Sequence, residues 1–535
     1  MDNVANSIKK SINFLLENQD PKGCWIAEYP NASISTAIGA IIFKEYGKRT
    51  EAEKAIDWLL DNQNEDGGWG DILGRDSNID CTVCAFAAIL LFEDDWNIIN
   101  KVKTWILNHG GFTRILTELL IFPAYASEIS WNEIKVPPLS AIYDPIIFED
   151  SDISIKEPMF FMERLALMEV SLIKTTFVGD LLEKAFIPYA IINLKRYQCA
   201  NGSWFIEPIL TGLALLAMKL CDHNDESTAK ALNWLINSQN IDGGIQFPQE
   251  LAVMDTTLSI IALSDADIDS DNPALNKAKD WLLSAQMSNG GWGWTSSYAC
   301  PDADDTALSV IALSKFAPSS QIKASMEMGS QWIIRRQLDN GSIATFPIDY
   351  DGYIKGGMLE FPSVIARSIR ALLITGHVKE ALNAGKFLMK IVSNEHIYNG
   401  DDWFGSGLYS WSIAIETILE MNKDEDKNVL NKLIDKILSV QNENGSWSTT
   451  EGMGCVEETA LAIKALLLCG IDIQDPSLQK GISYMLNEQN KDGSWNPAPL
   501  GILPPIKYNN IYWTQYIAME TLLLLIELGK SDYFD

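Results

Sequence analysis

One pattern recurs along this chain and limits what it can become: a Gln, a Gly four residues on, and a Trp two residues after that. It occurs at Gln19–Trp25 (QDPKGCW), Gln63–Trp69 (QNEDGGW), Gln198–Trp204 (QCANGSW), Gln286–Trp292 (QMSNGGW), Gln441–Trp447 (QNENGSW) and Gln489–Trp495 (QNKDGSW). Gln239–Ile245 (QNIDGGI) and Gln337–Ile343 (QLDNGSI) keep the frame with an aliphatic last residue, and a degenerate copy ends in Gly400-Asp-Asp-Trp403. Self-similarity of this kind marks an array of supersecondary units that bury their apolar faces only by stacking. An amphipathic run such as AKDWLLSAQ or ALNWLINSQ leads into each copy, with apolar residues at helical spacing. The Asn-Gly or Asp-Gly step then supplies the left-handed turn that stops the helix. About ten residues on, an acid before Thr opens a further apolar run: Asp80-Cys-Thr, Asp255-Thr, Asp305-Thr306 and Glu458-Thr459. The acid is expected to cap that new helix by accepting from its free N–H groups.

The unit is therefore helix, glycine turn, helix, and the fold class is all-α. Antiparallel helix pairs in series can close into a ring of inner and outer helices, an α-α barrel with its turns at one rim. The Gln is expected to hydrogen-bond backbone at a neighbouring turn while the Trp packs on it. Copies are regular from Gln239 onward, but the stretch from about Gly110 to Leu194, with its Pro-rich passage KVPPLSAIYDPIIFEDSD, interrupts them. Two helical barrels of unequal regularity fit this spacing better than one solenoid, although 535 residues alone would suggest three or four units.

Composition removes several functions. Forty-one Lys and Arg against 71 Asp and Glu leave a net charge of −30, which argues against nucleic acid and against an electrostatic grip on anionic lipid. Weak apolar membrane association stays open, but no run of apolar residues is long enough to span a bilayer, and no signal-peptide pattern opens the chain. A cytoplasmic location is expected. The eight cysteines form no disulfide framework, and Cys81 and Cys84 fall in an apolar helical run, where buried thiols are the expectation. The four histidines (His109, His223, His377, His396) have no metal-site spacing, so no metal site is expected.

One helix start carries more acid than a cap requires: Cys300-Pro-Asp302-Ala-Asp304-Asp305-Thr306. Three carboxyls within four residues repel one another, and burial favours protonating at least one. A carboxyl kept neutral beside hydrogen-bonding neighbours is what a strong general acid needs. The same acids also suit a helix N-terminus, so alone the cluster is open between capping and catalysis.

The repeated Q-x-x-x-G-x-W motif together with Asp302-Ala-Asp304-Asp305-Thr-Ala resembles the class II terpene cyclases, the group of squalene–hopene cyclases and of diterpene cyclases acting on geranylgeranyl diphosphate. The likeness runs from Gln19 to about Leu524. It implies two α-α barrels in a γβ arrangement: a β domain of residues 1–19 plus 249–535 carrying the acid, an inserted γ domain of residues 20–248, and an apolar cavity between them. It implies that Asp304 protonates an alkene or epoxide while Asp302 and Asp305 position it, with no cofactor required for that step. Aromatic faces stabilise cations by about 2 kcal/mol or more when desolvated. Aromatics outside the repeat are the candidates for that role: Trp294, Phe346, Trp403, Tyr409, Trp411 and Tyr512.

Where squalene–hopene cyclases place an Asp and a His four apart, this chain has Ser363 and Arg367, in Phe361-Pro-Ser363-Val-Ile-Ala-Arg367. Met162 and Met254 stand at positions expected to be aromatic for squalene. The chain is also shorter than those enzymes, and the runs DDWFGSGLYS and Tyr508–Tyr516 look closer to bacterial diterpene cyclases. A small-molecule isoprenoid is the expected partner, with geranylgeranyl diphosphate giving a bicyclic labdane-type diphosphate as the leading reading. A prenylated aromatic or a squalene-like triterpene is the alternative. A diphosphate would need cations, for which Arg164, Lys355, Arg367 and Arg370 are candidates, with Mg²⁺ at that end. Arg367 can equally pair with the aspartate cluster. No D-D-x-x-D ionisation motif is present, so a diphosphate would survive.

Overall fold

The computed structural model describes residues 2–92, 95–114, 121–128, 191–192, 194–195, 198–296, 301–347, 357–358, 361–392, 405–421, 427–449, 454–503 and 506–531. Its first part contains α1 (Asp2–Glu17), α2 (Ser33–Glu45), α3 (Arg49–Asp61), α4 (Ile79–Phe92), α5 (Trp96–Asn108), the short α6 (Ile121–Tyr125), α7 (Pro208–Leu220) and α8 (Glu226–Asn237). There follow α9 (Ala252–Asp265), α10 (Pro273–Ala285), α11 (Ala303–Leu313), α12 (Ser320–Ile334), α13 (Pro362–Ile374) and α14 (Val378–Val392). The chain ends with α15 (Gly407–Glu420), α16 (Lys427–Ser439), α17 (Val456–Leu468), α18 (Pro476–Asn487) and α19 (Ile511–Ser531).

Two kinds of helix alternate. Alpha-9 is buried from Ala252 to Leu263, and α17 from Val456 to Leu467, so water reaches no face of either. Helices apolar all round must lie inside. Alpha-10, by contrast, buries only Leu275, Ala278, Leu282 and Ala285, one stripe at helical spacing. The inner helices α9, α11, α13, α15, α17 and α19 pack each on the next, and α19 packs back on α9, closing a ring. Around it lie α10, α12, α14, α16 and α18, with α1 completing the outer layer against α19. A second set pairs inner α7, α2 and α4 with outer α8, α3 and α5.

The repeat ties the outer helices into a belt. The Gln amides donate to the carbonyl of their own turn Gly, as Gln63 does to Gly67, and most donate also to a carbonyl in the first two turns of the next outer helix. Gln286 reaches Gly290 and Ser325, Gln337 reaches Gly341 and Glu380, and Gln441 reaches Gly445 and Ser477. Gln489 reaches Ser7 at 3.0 Å and Gln19 reaches Ala274 at 2.8 Å, so α1 links the last outer helix of the closed ring to its first. Gly290 adopts φ +97°, and a Cβ there would come within 2.7 Å of the Met328 carbonyl oxygen. Only glycine allows both that turn and the close approach of the next helix. The Trp side chains are buried, as expected, and each indole N–H bonds a carbonyl ten residues earlier, as Trp292 does to Leu282 at 2.8 Å.

Two short hairpins depart from a purely helical chain. Strands β1 (Phe346–Pro347) and β2 (Gly357–Met358) precede α13, and β3 (Gly501–Leu503) and β4 (Ile506–Tyr508) precede α19. Both lie where the link from a glycine turn to the next inner helix is long. Among the described residues no helix is long and apolar enough to cross a membrane. Cys81 and Cys84 are buried thiols of α4, as expected, and burial pushes both well above their ordinary pKa.

Candidate active site

Every residue of α11 is buried except Asp304, whose side chain keeps 14% exposure. The cause is local. Asp302 is the N-cap, in extended conformation, and its carboxylate accepts from the Asp305 N–H at 2.8 Å. Its own N–H donates to the Trp292 carbonyl at 3.0 Å, and the Ala303 N–H to the Thr345 carbonyl at 2.8 Å, which fixes the start of the helix against the strand carrying Phe346. The Thr306 hydroxyl oxygen accepts from the Trp292 N–H at 3.0 Å. The repeat thus anchors the turn from which Asp304 projects.

Arg367, from α13, reaches Asp304 with one guanidinium nitrogen 2.6 Å from Oδ1 and 2.7 Å from Oδ2. Its other terminal nitrogen donates to the Tyr409 hydroxyl oxygen at 2.6 Å. The guanidinium also lies 5.3 Å from the Trp513 ring, and Trp513 meets Tyr409 edge-on at 5.3 Å. Burial works against a charge on Arg367, but Asp304 and Tyr409 outweigh it and hold the group protonated. Burial, then the charge of Asp305, holds the Asp302 carboxyl well above the usual carboxylate range. Burial raises Asp305 to about 7, against the pull of its bond to Asp302 and of Arg367. The centre therefore sets the Asp304–Arg367 contact beside a pair of carboxyls, Asp302 and Asp305, that burial drives toward the protonated form.

Beneath the acid, the lumen of the inner ring is lined by Arg367, Tyr409, Trp513, Ile311, Leu308 and Ile261, then by charged groups lower down. Lys464 bonds Glu520 at 2.7 Å and Glu416 at 3.0 Å. Arg370 sits in this lower lumen, where Tyr516, Glu520, Glu420 and Glu416 oppose the cost of burying its charge.

Of the residues singled out from sequence, the structure gathers Asp302, Asp304, Asp305, Arg367 and Tyr409 into one centre, with Phe346 one residue from the strand contact to α11. Trp294 is buried beside the start of α9, its carbonyl accepting from Val253. Trp411 is buried but lies 4.8 Å from Lys436 of α16, on the outer side of α15, because it is two residues round the helix from Tyr409. Tyr512 is buried with its hydroxyl 3.5 Å from the Asn18 carbonyl, away from Asp304. Arg164, Lys355 and Trp403 lie outside the described residues.

The structure also supplies groups the motif did not indicate. Trp513, not Tyr512, meets Arg367. Tyr508 on β4 is buried, and Asp255, Asp304 and Asp305 all oppose its ionisation. Asp255 is not the cap expected of it: α9 is entered at Leu251, and the buried Asp255 carboxylate instead accepts from the Ala27 N–H at 2.9 Å and the Asn510 amide at 2.6 Å. Burial raises its pKa to about 7. The acid–Thr pairs sit one turn inside their helices, and the caps stand four residues before each Thr, at Asp302 and Cys455.

A half-buried acid at the start of an inner helix of an α-α barrel, held by an arginine that in turn bonds a phenol and faces an indole, fits an acid-catalysed cyclase of the helical-barrel class. The squalene–hopene cyclase C-terminal domain matches residues 251–501 and the squalene–hopene cyclase N-terminal domain matches residues 8–149, so the chain belongs to the class II terpene cyclase superfamily. It is 24% identical to the squalene–hopene cyclase of Alicyclobacillus acidocaldarius over 64% of this chain and 65% of that one. The type B diterpene cyclase of Mycobacterium tuberculosis shares 23% identity over 52% of this chain and 51% of its own length. Among solved structures, the ent-copalyl diphosphate synthase from Streptomyces platensis superposes with a TM-score of 0.56 at 15% identity, covering 98% of this chain and 99% of that one, a likeness of fold.

Proposed function

We propose that this chain cyclises geranylgeranyl diphosphate to a bicyclic, labdane-type diphosphate, with Asp304 as the proton donor. The observation that carries the reading is the Asp304 carboxylate held at both oxygens by Arg367 at the rim of the inner ring. In its protonated form Asp304 delivers its proton to the terminal alkene. The carboxylate left behind receives two charge-assisted hydrogen bonds from Arg367, roughly twice as strong as neutral ones. The cation passes inward as each double bond attacks the next, shielded from water by buried aromatics. Loss of a proton ends the sequence, so substrate and product are isomers and the diphosphate is retained.

Three observations support a shorter substrate over squalene: Ser363 and Arg367 in place of the family Asp and His, aliphatic Met162 and Met254 at positions expected to be aromatic, and a length matched throughout by the copalyl diphosphate synthase. The family likeness implies Mg²⁺ with a diphosphate substrate. Among the described residues no group of three His, Cys, Asp or Glu side chains is disposed to hold a metal ion. Incubation with geranylgeranyl diphosphate, phosphatase treatment and mass spectrometry tests the reading. A bicyclic alcohol supports it; turnover of squalene with none of the diphosphate refutes it.

A further inference from the structure

The acid's partners depend on the first turn of α19, and one side chain holds that turn. Asn510 is 4% exposed. Its Oδ1 accepts from the backbone N–H of Tyr512 at 2.9 Å and of Trp513 at 3.0 Å. Its Nδ2 donates to the Tyr29 hydroxyl oxygen at 2.9 Å and to Asp255 Oδ1 at 2.6 Å. Two acceptor positions and two donors are all an amide has, so every one is used. The first pair is ordinary helix capping, which Asp or Ser would perform about as well. The second pair is not. It reaches across to the segment that leaves α1, whose Ala27 N–H occupies the other oxygen of Asp255. Only a side chain that accepts twice and donates twice joins that segment, α9 and α19 at one point. The turn so fixed carries Trp513, whose indole touches both Arg367 and Tyr409.

We propose that Asn510 is a positioning residue for the acid: by tying Tyr29 and Asp255 to the first turn of α19, it seats Trp513 against the two groups that hold Asp304. The inference rests on the reading of Asp304 as proton donor. Proton delivery is sensitive to placement, and a displacement of about 1 Å can cost roughly 100-fold in rate. A clasp that served stability alone would leave kcat untouched when the fold survives.

The test uses the full chain with geranylgeranyl diphosphate and, in parallel, squalene, reading kcat, KM and melting temperature. Asn510→Asp keeps both capping acceptors but sets a second carboxylate against Asp255. Its kcat should fall about 10-fold or more while KM stays within about twofold. Tyr29→Phe removes one donor's partner and should lower kcat by about threefold, within the same bound. Because both act through Trp513, Tyr29→Phe combined with Trp513→Phe should be no slower than Trp513→Phe alone. Unchanged kcat in Asn510→Asp or Tyr29→Phe, or losses that multiply in the double variant, overturns the inference. If Asn510→Asp does not fold, Tyr29→Phe and the double variant decide it. Asp304→Asn runs alongside. Activity in that variant removes the acid reading itself, whereas an inactive Asp304→Asn with a fully active Asn510→Asp removes this inference only.

Discussion

Replacing Arg367 by Lys keeps the charge and removes the geometry. The guanidinium holds both oxygens of Asp304 with one nitrogen and the Tyr409 hydroxyl with another. A lysine ammonium is a single point on a flexible stem and cannot span the carboxylate and the phenol together. At least one hydrogen bond to a charged group is lost, worth about 1.5–3 kcal/mol, and the pair is mostly buried, so solvent screens it little. At about 1.4 kcal/mol per decade, that predicts a kcat lower by about 10- to 150-fold. Because the lost contact is to the acid and not to the substrate, the loss should be equal for geranylgeranyl diphosphate and for a non-ionic substrate such as squalene. KM should change little for either, the signature of an interaction that strengthens in the transition state without touching the substrate. Steady-state kinetics on both substrates gives the answer. A raised KM confined to the diphosphate, with kcat intact, would assign Arg367 to the head group and refute the argument.

Asp304→Asn should abolish cyclisation in a chain that still folds, since an amide delivers no strong-acid proton and Asp302, not Asp304, caps α11, with a lowered melting temperature because the buried Arg367 loses its charge partner. Trp292→Ala should destabilise the fold by about 3–5 kcal/mol, visible in thermal melts, because the indole is buried and holds the Leu282 carbonyl; normal melting with altered products would place Trp292 in the cavity. Stability should fall as pH rises from about 4 to about 8. Asp255 and Asp305 are raised to about 7, and Glu207 to about 8, all by burial. Their protonated folded forms contribute stability that is complete below the unfolded carboxyl pKa and is lost as pH passes the folded values. Melts that are flat across that window, or that rise, would contradict the burial of these groups.

The helical class, the belt of Gln bonds and the acid's place at a helix start were legible because each follows from local pattern: apolar spacing, a glycine turn, an overloaded cap. The capping expectation was displaced by one turn. An acid before Thr looks like a cap, but the Thr hydroxyl is what the repeat needs, to receive the tryptophan N–H, and the cap falls four residues earlier. The choice of Tyr512 over Trp513 failed for a related reason. Both are aromatic and adjacent, and only the phase of α19, set by Asn510, decides which faces Arg367. Asn510 carried no signal of its own and Asp255 only a misleading one, as a cap, since their partners lie 481 and 228 residues away in sequence. Composition does not encode such pairings.

What sets Asp304 apart as the proposed acid is therefore not the motif alone. The frame Asp302-Ala303-Asp304-Asp305-Thr306 recurs on α17 as Cys455-Val456-Glu457-Glu458-Thr459, with the cap bonding three residues on and Thr459 receiving the Trp447 N–H at 3.0 Å. Glu457 stands in the register of Asp304, is 1% exposed, and is driven by burial above the usual carboxylate range. Yet it accepts from the Ala498 N–H at 2.6 Å and from the Thr514 hydroxyl at 2.7 Å, two neutral donors that stitch α17 to α19. No guanidinium meets it among the described residues, and no phenol stands behind one. Alpha-4 repeats the register again, with Asn78 as the cap and Thr82 below the Trp69 N–H, and places Asp80 in the same position. The scaffold presents a carboxylate at this point of several inner helices; on the proposed reading the chemistry goes to the one that α13 and α15 supply with Arg367 and Tyr409.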